Sequence, residues 1–276
     1  MTKMTILCVV CVLGICFASD ATEEPASGKV AAFKRYLFTC DLVDETDAVE
    51  EFKKALKQDE WKSVCKIFRD SGARDLEIYV FQDRVLAVLE TTVDFELERL
   101  EAGLGMSDTY SGWEAGARRF LKPVREADGD ELWALVDRVY KLGQKKEYRK
   151  EDGYVQKPLK VPTRRLVEAR ELVEDPAEVA RYKSLHAMGK AWPEITQGLK
   201  DIGIVDNEIY CVGNRTFEFY EVAKEFDWEK SWEALESKPV SQKWGALVGP
   251  IDRPFTDKDG KPLPNQIMKR IFKLGK

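Results

Sequence analysis

From residue 30 onward the apolar positions follow two alternating rhythms. Period-two alternation runs over residues 32–41, 76–80 and 85–91, and again over 163–172, 208–212 and 216–223, the pattern of strands that bury one face. Helical spacing fills the gaps. One helix is expected from the acidic stretch after Asp44 to Gly72, and its counterpart from Pro176, which suits a helix's first turn, to Gly203; both glycines fit a helix C-terminus. Asp83-Arg84 and Gly213-Asn214-Arg215 offer tight turns, so each flanking strand pair reads as a hairpin. A second helix, carrying Trp113 or Trp244, and a terminal strand close each series.

The two series are one sequence written twice. Leu42-Val43-Asp44 through Phe52 align without gaps on Leu172-Val173-Glu174 through Tyr182, a shift of 130 (172 minus 42). One inserted residue makes the shift 131, at which Trp61 meets Trp192, Gly72 meets Gly203, Glu77-Ile78-Tyr79 meets Glu208-Ile209-Tyr210, and Trp113 meets Trp244. Near the ends Arg138-Val139-Tyr140-Lys141-Leu142 matches Arg270-Ile271-Phe272-Lys273-Leu274 at 132. A collinear series of this kind marks a duplication. The order strand, helix, hairpin, helix, strand gives the fold class α+β, as two tandem ferredoxin-like units over residues 30–142 and 163–276. The polar, mostly basic stretch 143–162, with Pro158 and Pro162, reads as a linker. One chain can thus build internally what a one-copy relative builds as a homodimer, so the expected state is a monomer with an internal pseudo-dimer, or a homodimer of it.

Composition narrows the function classes. With 44 basic and 49 acidic residues the net charge is -5, a solvated surface and not a nucleic-acid footprint. Residues 1–21, with Lys3 followed by the apolar run 5–17, have the layout of a signal peptide cleaved after Ala18 or Ala21. The run falls short of the roughly 20 residues that span a bilayer, so export to a periplasm or secretion is expected, without stable membrane insertion. Cleavage would leave Cys40, Cys65 and Cys211, too few for a disulfide framework. Cys8 and Cys11 form a CxxC only inside the apolar run; beyond it no CxxC or His/Cys cluster suggests a metal site, and no Gly-rich phosphate loop or nucleophile elbow is present.

The single histidine, His186, lies four residues after Tyr182, which places both on one helix face. An imidazole titrating near neutrality moves protons, and a phenol beside it donates or accepts a hydrogen bond. Trp192 and Trp244 offer flat faces to the C–H faces of a sugar ring, and Glu194 could orient His186 or sugar hydroxyls.

Tyr182-Lys183-Ser184-Leu185-His186, Trp192-Pro193-Glu194, Gly203, Ile209-Tyr210, Phe219-Tyr220-Glu221-Val222 and Val240-Ser241-Gln242-Lys243-Trp244 together resemble the L-rhamnose mutarotase family, with Ile271-Phe272-Lys273-Leu274 continuing the pattern. The resemblance covers about the last 110 residues and, through the repeat, extends weakly to the first copy. It implies a dimeric α+β barrel, here built within one chain, that interconverts the α and β anomers of a deoxysugar without cofactor or metal. It also implies His186 as the acid/base and Tyr182 as its assistant, with Asn207, Tyr210, Trp192, Trp244 and Glu194 around the sugar. Three departures stand out: the family usually places its histidine four residues before the tryptophan, whereas His186 precedes Trp192 by six; a sugar-contacting tyrosine falls on Asn207; the second of two paired tryptophans falls on Gly245. On an unbroken helix the two extra residues would turn His186 by roughly 200°, unless Gly189 breaks it. The first copy has Phe52, Leu56 and Lys62-Ser63 in place of Tyr182, His186 and Pro193-Glu194, and reads as a structural partner. A non-catalytic carbohydrate-binding or structural barrel protein is the alternative, and a haem-holding helix histidine a more distant one.

Overall fold

The computed structural model describes residues 31–125, 130–256, 260–263 and 266–274. The segment read as a signal peptide lies outside them. The first copy runs β1 (Phe33–Leu42), α1 (Ala48–Ala55), α2 (Asp59–Asp70), β2 (Ala73–Phe81), β3 (Arg84–Thr91), α3 (Leu97–Gly105), α4 (Asp108–Ala117), β4 (Leu121–Lys122), β5 (Ala134–Leu135) and β6 (Asp137–Lys141). After β7 (Tyr154–Gln156), the second copy repeats it with β8 (Arg164–Leu172), α5 (Pro176–His186), α6 (Pro193–Asp201), β9 (Ile204–Val212), β10 (Arg215–Val222), α7 (Trp228–Glu236), α8 (Pro239–Val248), β11 (Asp252–Arg253) and β12 (Lys269–Lys273). Each helix expected from the sequence is in fact two. Local chemistry makes the breaks: the Ser107 hydroxyl caps α4 by accepting from the Tyr110 backbone N–H at 3.1 Å, and Pro193 and Pro239 start α6 and α8.

Both sheets are antiparallel, with strand orders β12-β2-β3-β1-β4 and β11-β8-β10-β9-β6. The terminal strands are exchanged. β12 of the second copy pairs with β2 of the first, Lys269 opposite Val80, and β6 of the first pairs with β9 of the second, Asp137 opposite Cys211. The expectation that each terminal strand completes its own unit is therefore corrected. Crossing over gives partners to edges that would otherwise expose free N–H and C=O groups, and it carries apolar side chains into the other half. Phe272 stands edge-on to Trp61 at 5.6 Å. The stretch 143–162 is more than a linker, because β7 adds to β1. Tyr154 and Gln156 there are each 2% exposed, and the Tyr154 hydroxyl accepts from the Arg138 backbone N–H at 2.7 Å.

Strand alternation sorts the residues into layers. Leu37, Tyr79, Leu86 and Val88 of one sheet meet Val167, Ala169, Tyr210, Phe217 and Phe219 of the other in a central core, while the opposite strand faces pack beneath α1 to α4 and α5 to α8 in two outer cores. The molecule is thus a dimeric α+β barrel made by one chain. Charged clusters tie its halves together. Arg35 binds Glu90 at 2.7 Å and Glu208, and its counterpart Arg165 (165 minus 35 is 130) binds Glu221 at 2.8 Å, Glu90 at 2.7 Å and Glu77 at 2.9 Å. Arg138 reaches Glu208 at 2.5 Å, as Arg270 reaches Glu77 at 2.6 Å. Cys40, Cys65 and Cys211 are buried free thiols.

The exchange makes a prediction about dissection. A chain cut between residues 143 and 153 should remain one particle by size-exclusion chromatography, because β6 and β12 each lie in the other half's sheet. Either half expressed alone should be insoluble or dimeric. Recovery of a folded monomeric half would contradict the exchange.

Candidate functional site

His186 is the last residue of α5. The helix stops there because Ala187 leaves helical geometry (φ -54°, ψ 157°) and Gly189 adopts φ +75°, a left-handed conformation suited to glycine. The two extra residues before Trp192 are taken up in this turn, so no continuous helix rotates His186 away. The ring is buried at 7% exposure and lies against Tyr182, 4.2 Å between centroids, and edge-on to Trp244 at 5.4 Å.

Hydrogen bonding fixes how the ring is used. His186 Nδ1 lies 2.9 Å from the Tyr182 backbone carbonyl. A carbonyl only accepts, so the proton of the neutral ring sits on Nδ1 and the lone pair on Nε2. Burial lowers the imidazole pKa, against the opposing pull of the carbonyl bond and of Glu218, which keeps that lone pair available at neutral pH. Burial, reinforced by Glu218 and Asp252, raises the Tyr182 phenol far above its ordinary range. Tyr182 therefore stays a donor, with a long 3.5 Å contact to Glu218 Oε1.

Both rings line a cavity of about 640 Å³ between the second sheet and α5 to α8, large enough for a monosaccharide with water. Aromatic walls come from Tyr140, Tyr220, Trp228, Trp232 and Trp244. The floor is charged, and the sequence reading missed it. Arg170 lies 2.8 Å from Asp252, 3.3 Å from Glu168 and 3.7 Å from Glu218, and Tyr220 donates to Glu218. Burial raises the carboxyls of Glu168 and Asp252 although Arg170 pulls both down. Among the described residues, Trp232 Nε1, Ser241 Oγ, Asp252 Oδ1 and Gln266 Oε1 are buried without a hydrogen-bond partner, and all four residues line this cavity. Unpaired polar atoms at such density mark a wall that a polar ligand or water completes.

The expected site residues separate. His186, Tyr182, Asn207 and Trp244 line the cavity. Asn207 already donates from Nδ2 to the Phe219 carbonyl at 3.0 Å, which leaves its side-chain oxygen as the acceptor for a ligand. Trp192 caps α6 and packs on Trp244 at 5.3 Å, one layer behind the wall. Glu194 is exposed in the first turn of α6, outside the cavity lining. Tyr210 is placed in the central core between the sheets, fully buried against Tyr154 and Phe219. Parity explains this: Asn207 and Ile209 face the cavity, so Tyr210 must face away. Gly245 also lines the cavity, where a second tryptophan was expected. Tyr140 could not have been foreseen from the second copy, since the exchanged β6 brings it there, 6.2 Å from His186.

The first copy keeps a cavity of similar size, about 630 Å³, but its sheet floor is apolar, and its charged lining residues, Glu101, Glu114, Arg118, Asp130 and Glu131, lie off the strands. At the positions of Glu168, Asn207 and Glu218 it carries Phe38, Leu76 and Ala87. Phe52 and Leu56 are packed in the core where Tyr182 and His186 stand in the second copy.

The chain is 30% identical over 84 residues to an L-fucose mutarotase from Xanthomonas campestris, covering 30% of this chain and 67% of that one. It is 29% identical over 99 residues to an L-rhamnose mutarotase from Enterococcus faecalis, covering 36% and 89%. Among solved structures it is similar to an anthrone oxidase-like protein (10% identity, 87% of this chain and 92% of that one, TM-score 0.44) and to a chlorite dismutase from Candidatus Nitrospira defluvii (12%, 86% and 90%, 0.38). The model of the L-rhamnose mutarotase family matches both copies, at residues 35–142 and 165–274, and on that double match the chain belongs to the L-rhamnose mutarotase family.

Proposed function

We propose that the protein interconverts the α and β anomers of L-rhamnose or a related deoxysugar in the second-copy cavity, with His186 as acid/base and Tyr182 as its assistant. The observation that carries this is the buried imidazole whose Nδ1 faces the Tyr182 carbonyl, leaving the lone pair on Nε2, held against the Tyr182 phenol in an aromatic-walled cavity. Mutarotation requires one proton to leave the anomeric hydroxyl, taken by His186, and another to reach the ring oxygen, given by the Tyr182 hydroxyl and returned to it on closure. The C1–O5 bond then breaks to the open-chain aldehyde, which closes on either face. Nε2 is suited to take the first proton and to return it on closure. Tyr182, as a donor, favours charge developing on oxygen. Stacking of the sugar on an indole face holds the ring while it opens. Export, expected from residues 1–21, would place the reaction outside the cytoplasm.

Saturation-transfer NMR of anomer exchange on L-rhamnose and L-fucose tests the proposal. Accelerated exchange on either supports it; unchanged exchange on both sinks it. A paired comparison sharpens the assignment. Tyr182→Phe is expected to slow exchange about tenfold, whereas Tyr210→Phe, which deletes a hydroxyl that has no partner among the described residues, should change it by less than about twofold. A reversed order would remove Tyr182 from the mechanism.

A further inference from the structure

The cavity combines two features that a neutral sugar does not require, a charged floor on the sheet and an aromatic corner; the first copy's cavity has acids at Glu101, Glu114, Asp130 and Glu131 but neither of these features. One is charge. Glu168, Glu218 and Asp252 form the floor, and Glu229, Glu233 and Glu236 line the same cavity from one face of α7. Arg170 is the one cationic side chain among the described lining residues, and its guanidinium is already shared among the three floor carboxylates. Three acids against one base leave the floor net negative when ionised, and the α7 carboxylates add to that field at the mouth. The field of such a cleft concentrates cations and repels anions.

The other feature is an aromatic corner. Tyr220, Trp228 and Trp232 stand mutually edge-on, with centroids 5.5, 5.8 and 5.5 Å apart and ring planes 78°, 80° and 71° to one another. All three line the cavity, and rings set nearly perpendicular can turn negative faces toward one occupant, the geometry in which an ammonium is held by its surroundings without a formal partner. The corresponding residues of the first copy are Leu89, Leu97 and Glu101 (each 131 lower), and Phe38 and Ala87 replace Glu168 and Glu218. The nearly buried His186 lies in the same lining with no partner on Nε2 among the described residues, so corner, acids and base address a single occupant.

We propose that the sugar held here carries an ammonium group: an amino-deoxyhexose in preference to its neutral parent, with uronates and sugar phosphates excluded. This rests on reading the cavity as a sugar site.

Calorimetric titration of the full chain with L-fucose and with L-fucosamine, the same sugar with one hydroxyl replaced by an amine, tests it at a pH where the amine is protonated. The amine is expected to bind about tenfold tighter at low salt, with the advantage shrinking as salt rises. The preference should disappear in Trp232→Leu. It should fall severalfold in Glu229→Gln/Glu233→Gln/Glu236→Gln, a variant altered only at exposed positions of α7 and therefore expected to fold. Equal affinities, tighter binding of L-fucose, a preference indifferent to salt and to both variants, or binding of neither sugar would overturn the proposal. Anomer exchange measured on both sugars separates the two readings. Accelerated exchange of L-fucose without amine preference sinks this inference and leaves the isomerase. Amine preference without accelerated exchange does the reverse.

Discussion

Replacing His186 with alanine is expected to slow enzyme-promoted anomer exchange by roughly 10²–10⁴-fold, the usual contribution of a positioned general acid/base, while the protein stays folded. The site sits at the end of α5, and Tyr182, Trp244 and Tyr140 around it are anchored by their own elements. The stability cost should therefore stay within the roughly 0.5–3 kcal/mol common for single substitutions. Near-wild-type exchange in the mutant, measured by saturation-transfer NMR, would end the assignment. The pH dependence follows from the lowered imidazole pKa. Activity that needs the neutral ring should persist below the ordinary histidine value of about 6.5, and fall only as pH drops through the lower folded value. Stability moves the same way. Since the unfolded chain binds the proton more readily, the fold loses stability as pH falls from the unfolded histidine pKa toward the folded one. His186→Ala should flatten that part of the stability curve.

The largest expected loss of stability comes from Glu208→Ala. Glu208 holds both Arg35 and Arg138, whose side chains are 4% and 1% exposed, and it accepts from Gln156 at 2.7 Å. Deleting it leaves the buried Arg138 guanidinium without its carboxylate and Arg35 with Glu90 as its remaining close partner, an expected cost of about 3–5 kcal/mol. For a domain of this size that corresponds to a fall of roughly 6–20 °C in Tm. Its repeat partner Glu77 provides the control. Two of its cations, Arg270 and Lys273, are 49% and 50% exposed, so water screens them once the carboxylate is gone, and Glu77→Ala should cost about half as much. Equal losses by calorimetric melting would refute this ranking. Burial opposes ionisation of both carboxyls, but the surrounding cations outweigh it, holding Glu77 down at about 2 and Glu208 lower still. Their contribution is complete above the unfolded glutamate pKa near 4.3 and is lost as pH falls through the folded values.

The duplication was legible because a repeat keeps the spacing of every residue the architecture uses. The shifts of 130, 131 and 132 found in the aligned sequence recur in the ion pairs, linking Arg35 to Arg165, Glu77 to Glu208 and Arg138 to Arg270. His186, Tyr182, Asn207 and Trp244 were legible as a set through the family pattern, and all four line one cavity. Strand exchange was not legible, because β6 and β12 carry the same apolar pattern whichever sheet receives them; Tyr140 was lost with it. Tyr210 was misplaced for want of a parity argument that was available, since it lies an odd number of positions, three, after Asn207 on one strand. The charged floor left a signal too. Glu168 and Arg170 on β8, and Glu218 and Tyr220 on β10, are polar residues at spacing two inside strands whose intervening positions, Val167, Ala169, Phe217 and Phe219, are apolar. On a strand covered by helices, that alternation marks a polar chamber and not a solvated face.

The exchanged strands also set an order of events during synthesis. Lys269 pairs with Val80, so the first sheet cannot be finished until β12, at residues 269–273, has left the ribosome. Until then β2 waits with one unpaired edge, at the stage when a nascent chain is most exposed to neighbours. The first half must therefore persist as an open, partly zipped intermediate while the second copy is made. Closure depends on contacts of very long sequence separation, the slow kind. A second copy of the same unit lies in the same chain, and its β9 offers an edge of matching pattern. The exchange that protects the finished molecule thus creates, on the way there, competition between β6 and β12 for the wrong sheet. Differences between the copies, such as the buried Arg138 against the half-exposed Arg270, give the chain a means of telling the two strands apart.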